Sequence, residues 1–277
     1  MSIKVSANST LKSLMSNLRK ASEKQEKVLN QLSSGKRISK SSDDSAGIAH
    51  ATKLNAFIRS QKQASRNAND GISFVQTAEG GLNEVSNILT RLRELSVQAG
   101  SDTVGEDERG FLNKEYQSLK DEIDRIAEST SFNGTNVING DGRGVLEFQV
   151  GAYSGEANTI KFDTEGNYTS VSDLDLAGAG VSEKEEALDS ISSIDDALNK
   201  VSSQRSYLGS IQSRMQHAAN NLETNTINHQ VTKSKIEDVD VAQAAAEMAI
   251  TTITQKAAVQ TLTQAMNFSK ASLKLIS

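Results

Sequence analysis

The chain has 277 residues, 30 basic and 35 acidic side chains for a net charge of −5, and no cysteine, proline or tryptophan. Without cysteine there is no disulfide, no thiolate nucleophile and no cysteine-based metal site. Without proline, where average usage gives about 14, the chain lacks both the strongest helix breaker and the slow isomerisation that delays refolding.

A hydrophobic content of 36% with only 4% aromatics suits long helices with thin cores better than one large core. Nowhere do 18 apolar residues run together, so no membrane span is expected. The first segment, about residues 5–32, places Leu11, Leu14, Leu18, Val28 and Leu32 at alternating steps of three and four. That is the seam of a coiled coil, about 40 Å long at the helical rise. Gly35 is the expected stop, and residues 35–42 read as a connector.

A longer helix follows Asp43-Asp44, with a stripe from Leu54 to Leu95 that Gly80-Gly81 interrupts; the glycine pair marks either a kink or a close helix contact. Thr103 and Glu106 stand at capping-box spacing before a third helix striped by Leu112, Tyr116, Leu119, Ile123 and Ile126. Beyond Ser129 the period falls to two: Leu146, Phe148 and Val150, then Ile160 and Phe162, alternate with polar residues around the turn-rich GAYSGEAN. A β-hairpin over about 145–163 is expected. Ser182 and Glu185 form a second capping-box pair, opening a helix that carries Leu188 to Leu222. A polar stretch near 224–240 separates it from the last segment. There Val241, Ala245, Met248, Thr252, Gln255, Val259, Leu262, Met266, Ser269, Leu273 and Ile276 keep the heptad step.

The expected fold is mainly α: an elongated rod of long helices and terminal coiled-coil segments with a small central β-hairpin region. Residues 1–42 and 235–277 would be the two halves of an inner coiled-coil domain. Residues 43–234 would be an outer helical domain with its β region at about 140–180. Charge is segregated. Residues 1–40 carry a net +7 and residues 102–175 a net −10. The basic end has no aromatic residue on which a base could stack, so a solvated helix face is the reading and no nucleic-acid partner is expected. The acidic stretch is expected on the outside of any assembly. His50, His217 and His229 are the only histidines, and none has a partner at metal-ligand spacing. Asp43-Asp44 and Asp195-Asp196 read as helix-start charges and solvated faces. No enzyme, cofactor or metal is expected. Asn133-Gly134-Thr135 reads as a turn rather than a glycosylation site.

Several blocks in order resemble one known family. LSSGKRI at Leu32–Ile38, DDSAG at Asp43–Gly47 and ANDGISFVQTAEGGLNEV at Ala68–Val85 look like the N-terminal part of bacterial flagellin. RLRELSVQA at Arg91–Ala99, EIDRIA at Glu122–Ala127 and FNGTNV at Phe132–Val137 continue the likeness, and SKIEDVDVA at Ser234–Ala242 resembles its C-terminal side. The resemblance covers both flanks; the centre is short, without the outer domains that many family members insert.

The resemblance implies a structural subunit of the extracellular flagellar filament, used for motility. It also implies export without a cleaved signal, with an export chaperone, the filament cap and the hook-junction proteins as partners. The start of the chain has no continuous apolar stretch of signal-peptide type. The seams predict self-assembly into an open helical homopolymer. Residues 1–40 and 235–277 would be largely disordered in the free subunit and fold when neighbours supply apolar surface. A host Toll-like receptor is a further implied partner, reading Arg91, Glu94 and Leu95 with Glu115 of the next helix. Thr90 departs from the glutamine common before this arginine. The alternatives are a hook–filament junction protein, which resembles flagellin at both ends, and a cytoplasmic coiled-coil scaffold.

Overall fold

The computed structural model describes residues 2–139, 144–164 and 168–274. Five long helices, α1 (Ser2–Ser34), α2 (Ser45–Ala99), α3 (Glu106–Ser129), α4 (Lys184–Glu237) and α5 (Val241–Lys274), dominate it. Between α3 and α4 lie two small antiparallel hairpins, β1 (Ser131–Phe132) with β2 (Thr135–Asn136), and β3 (Val145–Gln149) with β4 (Thr159–Asp163). The contacts divide the chain into two compact units, Met1–Ala56 with Asn228–Ser277, and Phe57–Ile227.

In the first unit α1 and α5 form an antiparallel pair: Gln25 donates to Thr252 Oγ1 at 3.4 Å, while Ser22, one turn earlier, accepts from Gln255 at 3.2 Å. Asp240 caps α5 by accepting the amides of Ala242 and Gln243 at 3.0 and 3.1 Å, and Asp44 caps α2 by accepting from Gly47 at 2.9 Å. Each carboxylate meets helix amides that would otherwise lack partners. The connectors after α1 and α4 join through backbone. Arg37 donates to the Glu237 carbonyl at 2.7 Å and Val239 to the Gly35 carbonyl at 3.1 Å, around an antiparallel bridge between Lys36 and Asp238.

The second unit holds the larger core. Along α2 the positions 64, 68, 71, 75, 78, 82, 85, 89, 92 and 99 are all buried. On α4 the buried residues Ala187, Ser190, Ile194, Ala197, Val201, Leu208, Ile211, Met215 and Leu222 keep the same stepping. Gly71 makes close packing possible here: a Cβ would come within 2.7 Å of the Met215 sulfur and 3.1 Å of the Phe148 ring. The aromatics are few, but five of them collect around the hairpins. Phe74 of α2 contacts Phe132, Phe148 and Phe162 at centroid distances of 5.8, 5.7 and 5.1 Å, and Phe162 stacks toward Tyr207 at 6.3 Å. Edge-to-face contacts of this kind add to what burial alone contributes.

The hairpin falls where the alternation placed it, with Leu146 opposite Phe162 and Phe148 opposite Ile160. Asn133 and Gly134, both at positive φ (50° and 73°), form the turn between β1 and β2. Other expectations need correction. Gly80-Gly81 does not interrupt α2, and the close contact is not with a helix: Gly81 lies against Ile138 and Thr130, beyond the end of α3, while Gly80 faces open space. The third helix is capped at Gly105, whose amide donates to the Glu108 carboxylate at 2.6 Å, rather than by Thr103 with Glu106. The Ser182 amide is held by Glu186 at 3.1 Å, not by Glu185. The polar stretch at 224–237 is helix, because Thr226 and neighbours still supply a packed face to α4.

Residues 168–182, most of them inside the β region expected at about 140–180, need correction too. They form no helix or strand, yet Val171, Leu174, Leu176, Ala179 and Val181 are buried. Their backbone is paired partly within the segment, Leu174 N to Ser170 O, Leu176 N to Val171 O and Ala179 N to Leu176 O at 3.0, 2.9 and 3.1 Å, and partly by side chains: Asp124 accepts from Val171 N at 2.8 Å, and Asn113 from Val181 N at 3.3 Å. Ser190 accepts from Gly180 N at 3.0 Å and donates to Gly180 O at 2.8 Å. Lys120 donates to the carbonyls of Ala177 and Ala179 at 3.1 and 2.9 Å.

Candidate assembly and receptor-contact surfaces

On α1 the expected seam faces α5. Val28 is buried, and Leu11, Leu14, Leu18 and Leu32 are half-buried. On α5 the register differs by one residue. Ala244 and Thr251 are buried and Ala258 and Ala265 half-buried, while Val259 and Met266 remain 46% and 47% exposed. Small residues let the helices approach closely, and Met248, Gln255 and Leu262 complete the inner face as expected. Ile276 and the side chain of Leu273 lie outside the described residues. A further stripe on the same helix, Ile250, Ile253 and Phe268, is 60–70% exposed. Its described residues carry few charges, so α5 presents apolar surface on more sides than one neighbour covers.

Ion pairs decorate the first unit. Lys36 and Lys233 both reach Glu237, the latter at 3.5 Å. The Lys36 hydrogen bond is the main reason that the Glu237 carboxyl lies below its usual range and the Lys36 ammonium above. Asp43 accepts the amides of Lys40 and Ser39 at 3.1 and 3.3 Å and lies 3.5 Å from Lys27; the backbone bonds do most to lower its pKa.

The Arg91, Glu94 and Glu115 side chains cluster, but Leu95 does not join them at the surface. Arg91 donates through Nη1 to Glu94 at 2.8 Å, and through Nε and Nη2 to one oxygen of Glu115 at 3.1 and 2.9 Å. The hydrogen bond to Glu94 is the largest single cause that raises the Arg91 pKa, followed by the hydrogen bond to Glu115 and its charge. All three side chains are about half exposed. Leu95, assigned an apolar contact from the sequence, is fully buried in the core between α2 and its neighbours. The patch therefore offers charge and hydrogen bonds, and the exposed apolar residue beside it is Val97. Among the described residues no three His, Asp or Glu side chains converge to hold a metal ion.

Comparison with known proteins places this geometry. The family model of the bacterial flagellin N-terminal helical region matches residues 5–142, and that of the C-terminal helical region matches residues 191–276. The chain belongs to the bacterial flagellin family. It is 41% identical to a flagellin of Halalkalibacterium halodurans over 91% of each chain, and 35% identical to a flagellin of Bacillus subtilis over 94% of each. The crystal structure of Bacillus cereus flagellin matches 57% of this chain and 88% of its own at 30% identity, with a TM-score of 0.50. A putative flagellar hook-associated protein from Vibrio parahaemolyticus shares the fold at a TM-score of 0.59, over 71% of this chain and all of its own, but at 16% identity. That likeness is one of fold and does not favour the hook-junction alternative. As a flagellin, the protein is a structural subunit that polymerises into the flagellar filament outside the cell; it is not an enzyme.

Proposed function

We propose that the filament is held together through the α1–α5 pair, with α5 buried on several sides by copies of the same chain. The observation that carries this reading is the exposed apolar surface on α5, Ile250, Ile253, Val259, Met266 and Phe268, next to a seam that one helix already fills. Leu11, Leu14, Leu18, Val28, Leu32 and Leu262 keep the pair together, and Leu273 and Ile276 extend the same pattern. A contact repeated head to tail without closing gives an open helical polymer. Leu262→Asp or Leu14→Asp would bury an unpaired charge at a cost of several kcal/mol. Sedimentation and electron microscopy of each variant should show loss of filaments while circular dichroism shows the Phe57–Ile227 unit still folded. Normal filaments from Leu262→Asp protein would end the proposal.

The same face suits the other partners of a flagellin. Before assembly an export chaperone would shield α5 around Val259, Leu262, Met266 and Leu273, as an amphipathic helix laid in a groove. The filament cap and hook-junction proteins would meet the same terminal helices. Export would leave the start of the chain uncleaved; a mature terminus near residue 20, found by mass spectrometry, would contradict it. Residues 1–40 and 235–277 would order on assembly, which amide exchange in free and polymerised protein would reveal. The acidic 102–175 stretch would lie outermost, so proteases should cut intact filaments near 140–180 before residues 1–40. Arg91, Glu94 and Glu115 would give a host Toll-like receptor a forked donor and two carboxylates. Monomer should signal in a reporter-cell assay, and Arg91→Ala should signal less; equal signals would remove the assignment.

A further inference from the structure

The five methionines stand at positions 1, 15, 215, 248 and 266, and the fold sorts the described ones by exposure. Met215 is fully buried, its sulfur packed where a Gly71 side chain would be. Met248 is half-buried in the face that α5 turns toward α1. Met15 on α1 is 62% exposed and Met266 on α5 is 47% exposed. Both exposed residues flank a seam. Met15 follows Leu14 and stands two heptads before Leu29, itself 53% exposed; Met266 follows Ala265 and stands one heptad after Val259. The two thioethers thus stand in stripes beside the α1–α5 seam, Met15 with Leu29 and Ser22 between them, and Met266 with Val259, uncovered in the single subunit.

We propose that Met15 and Met266 are oxidant-sensitive sites whose conversion to methionine sulfoxide stops the free subunit from polymerising. The inference rests on the reading that copies of the chain cover these stripes in the filament. The oxidant class is a peroxide. The thioether lone pair attacks one peroxide oxygen; an S–O bond forms, the O–O bond breaks, and a proton transfer releases water. Sulfur loses two electrons and the peroxide gains them, so one thioether and one hydrogen peroxide give one sulfoxide and one water. The product is polar and a strong hydrogen-bond acceptor. A flexible apolar side chain that would fill gaps between helices becomes one that resists burial without a donor. Once buried between copies, the same sulfur atoms would be shielded. Susceptibility would therefore belong to the free subunit and not to the finished filament. The change is reversible by methionine sulfoxide reductases, which act on the two sulfoxide epimers separately.

The test uses the full-length monomer and hydrogen peroxide. Peptide mass mapping should place oxygen on Met15 and Met266 well before Met215. The critical concentration for filament growth should rise about tenfold, a ratio equal to about 1.4 kcal/mol of association energy. Met15→Leu/Met266→Leu protein, nearly volume-conserving, should show the same critical concentration before and after peroxide, whatever its own starting value. Treating oxidised wild-type protein with reductases of both stereospecificities should restore growth, and this arm decides the matter if the double variant does not assemble. Equal loss of assembly in wild type and double variant, unimpaired growth of oxidised wild type, or failure of the reductases to restore it would overturn the proposal. Intact filaments form the separate arm. If Met15 and Met266 oxidise in filaments as fast as in monomer, the assembly reading itself fails. If they are protected but the critical concentration does not move, only the oxidation switch fails.

Discussion

Lys120 is the side chain on which the irregular 168–182 segment most depends, and replacing it by methionine isolates what it does. The residue is 7% exposed, and its ammonium donates to the carbonyls of Ala177 and Ala179 at 3.1 and 2.9 Å. Lys120→Met keeps most of the stem and removes both bonds. Hydrogen bonds from a charged donor contribute about 1.5–3 kcal/mol each, and a stranded buried carbonyl costs about 1–3 kcal/mol. The variant also escapes the cost of burying an ammonium, so the net loss should be about 2–4 kcal/mol. For a unit of this size each kcal/mol moves the melting temperature by about 2–4 °C, which gives a fall of about 4–16 °C. Calorimetry of the full chain measures it, and the amides of Val171, Gly180 and Val181 should lose exchange protection.

The pH dependence supplies a second check on the same residue. Desolvation holds the Lys120 pKa below 10.5, against the opposing pull of Glu186, Asp121 and Asp124. The unfolded chain therefore binds more protons than the folded one between the lowered value and 10.5, and the penalty on the charged form is relieved as pH rises through that window. The neutral amine still has a donor for each carbonyl. Burial raises the Tyr116 pKa above 10.0, and this works the opposite way at higher pH, but it is common to both proteins. The stability difference between wild type and Lys120→Met should thus widen as pH approaches 10.5. A variant that melts with the wild type and keeps its strap amides protected would refute the reasoning.

Phe162→Ala removes a fully buried ring from the cluster around Phe74 and should cost about 3–5 kcal/mol, read as a lower urea midpoint at unchanged slope. Gly71→Ala forces a methyl against the Met215 sulfur; it should destabilise by about 1–3 kcal/mol less the gain of about 1 kcal/mol in helix propensity. In a Met215→Ala background the same change should become neutral or stabilising, a coupling that a double-mutant cycle measures. Glu237 has its pKa lowered from 4.5 chiefly by the Lys36 hydrogen bond, so its contribution is complete above that value and is lost as pH falls through the lowered folded one. Wild-type protein should become more open to an acid-tolerant protease at residues 35–42 as pH drops through this range, and Glu237→Gln should be open at both ends of it.

Periodicity alone determined that this is a chain of long helices with one alternating hairpin. A helix or strand with one buried face writes that face into its own spacing, and the stripe on α1, Leu146 and Phe148 on β3, and Ile160 and Phe162 on β4 did so. The ordered blocks that resemble flagellin were equally legible. The facing of α5 was not. Ala244, Thr251, Ala258 and Ala265 form one heptad stripe and Ala245, Thr252, Val259 and Met266 the next. On a helix apolar over most of its circumference the larger side chains draw the eye, whereas close approach selects the smaller ones, and only the packed partner distinguishes them. Leu95 failed as a surface residue although the stripe from Leu54 to Leu95 already put it on a packed face; its contact role came only from the resemblance. The 168–182 strap left no local pattern at all. Beyond its own short turns, its backbone is held by Lys120, Asp124 and Asn113, all distant in sequence, and bonds between remote side chains and an irregular backbone exist only once the tertiary structure has brought them together.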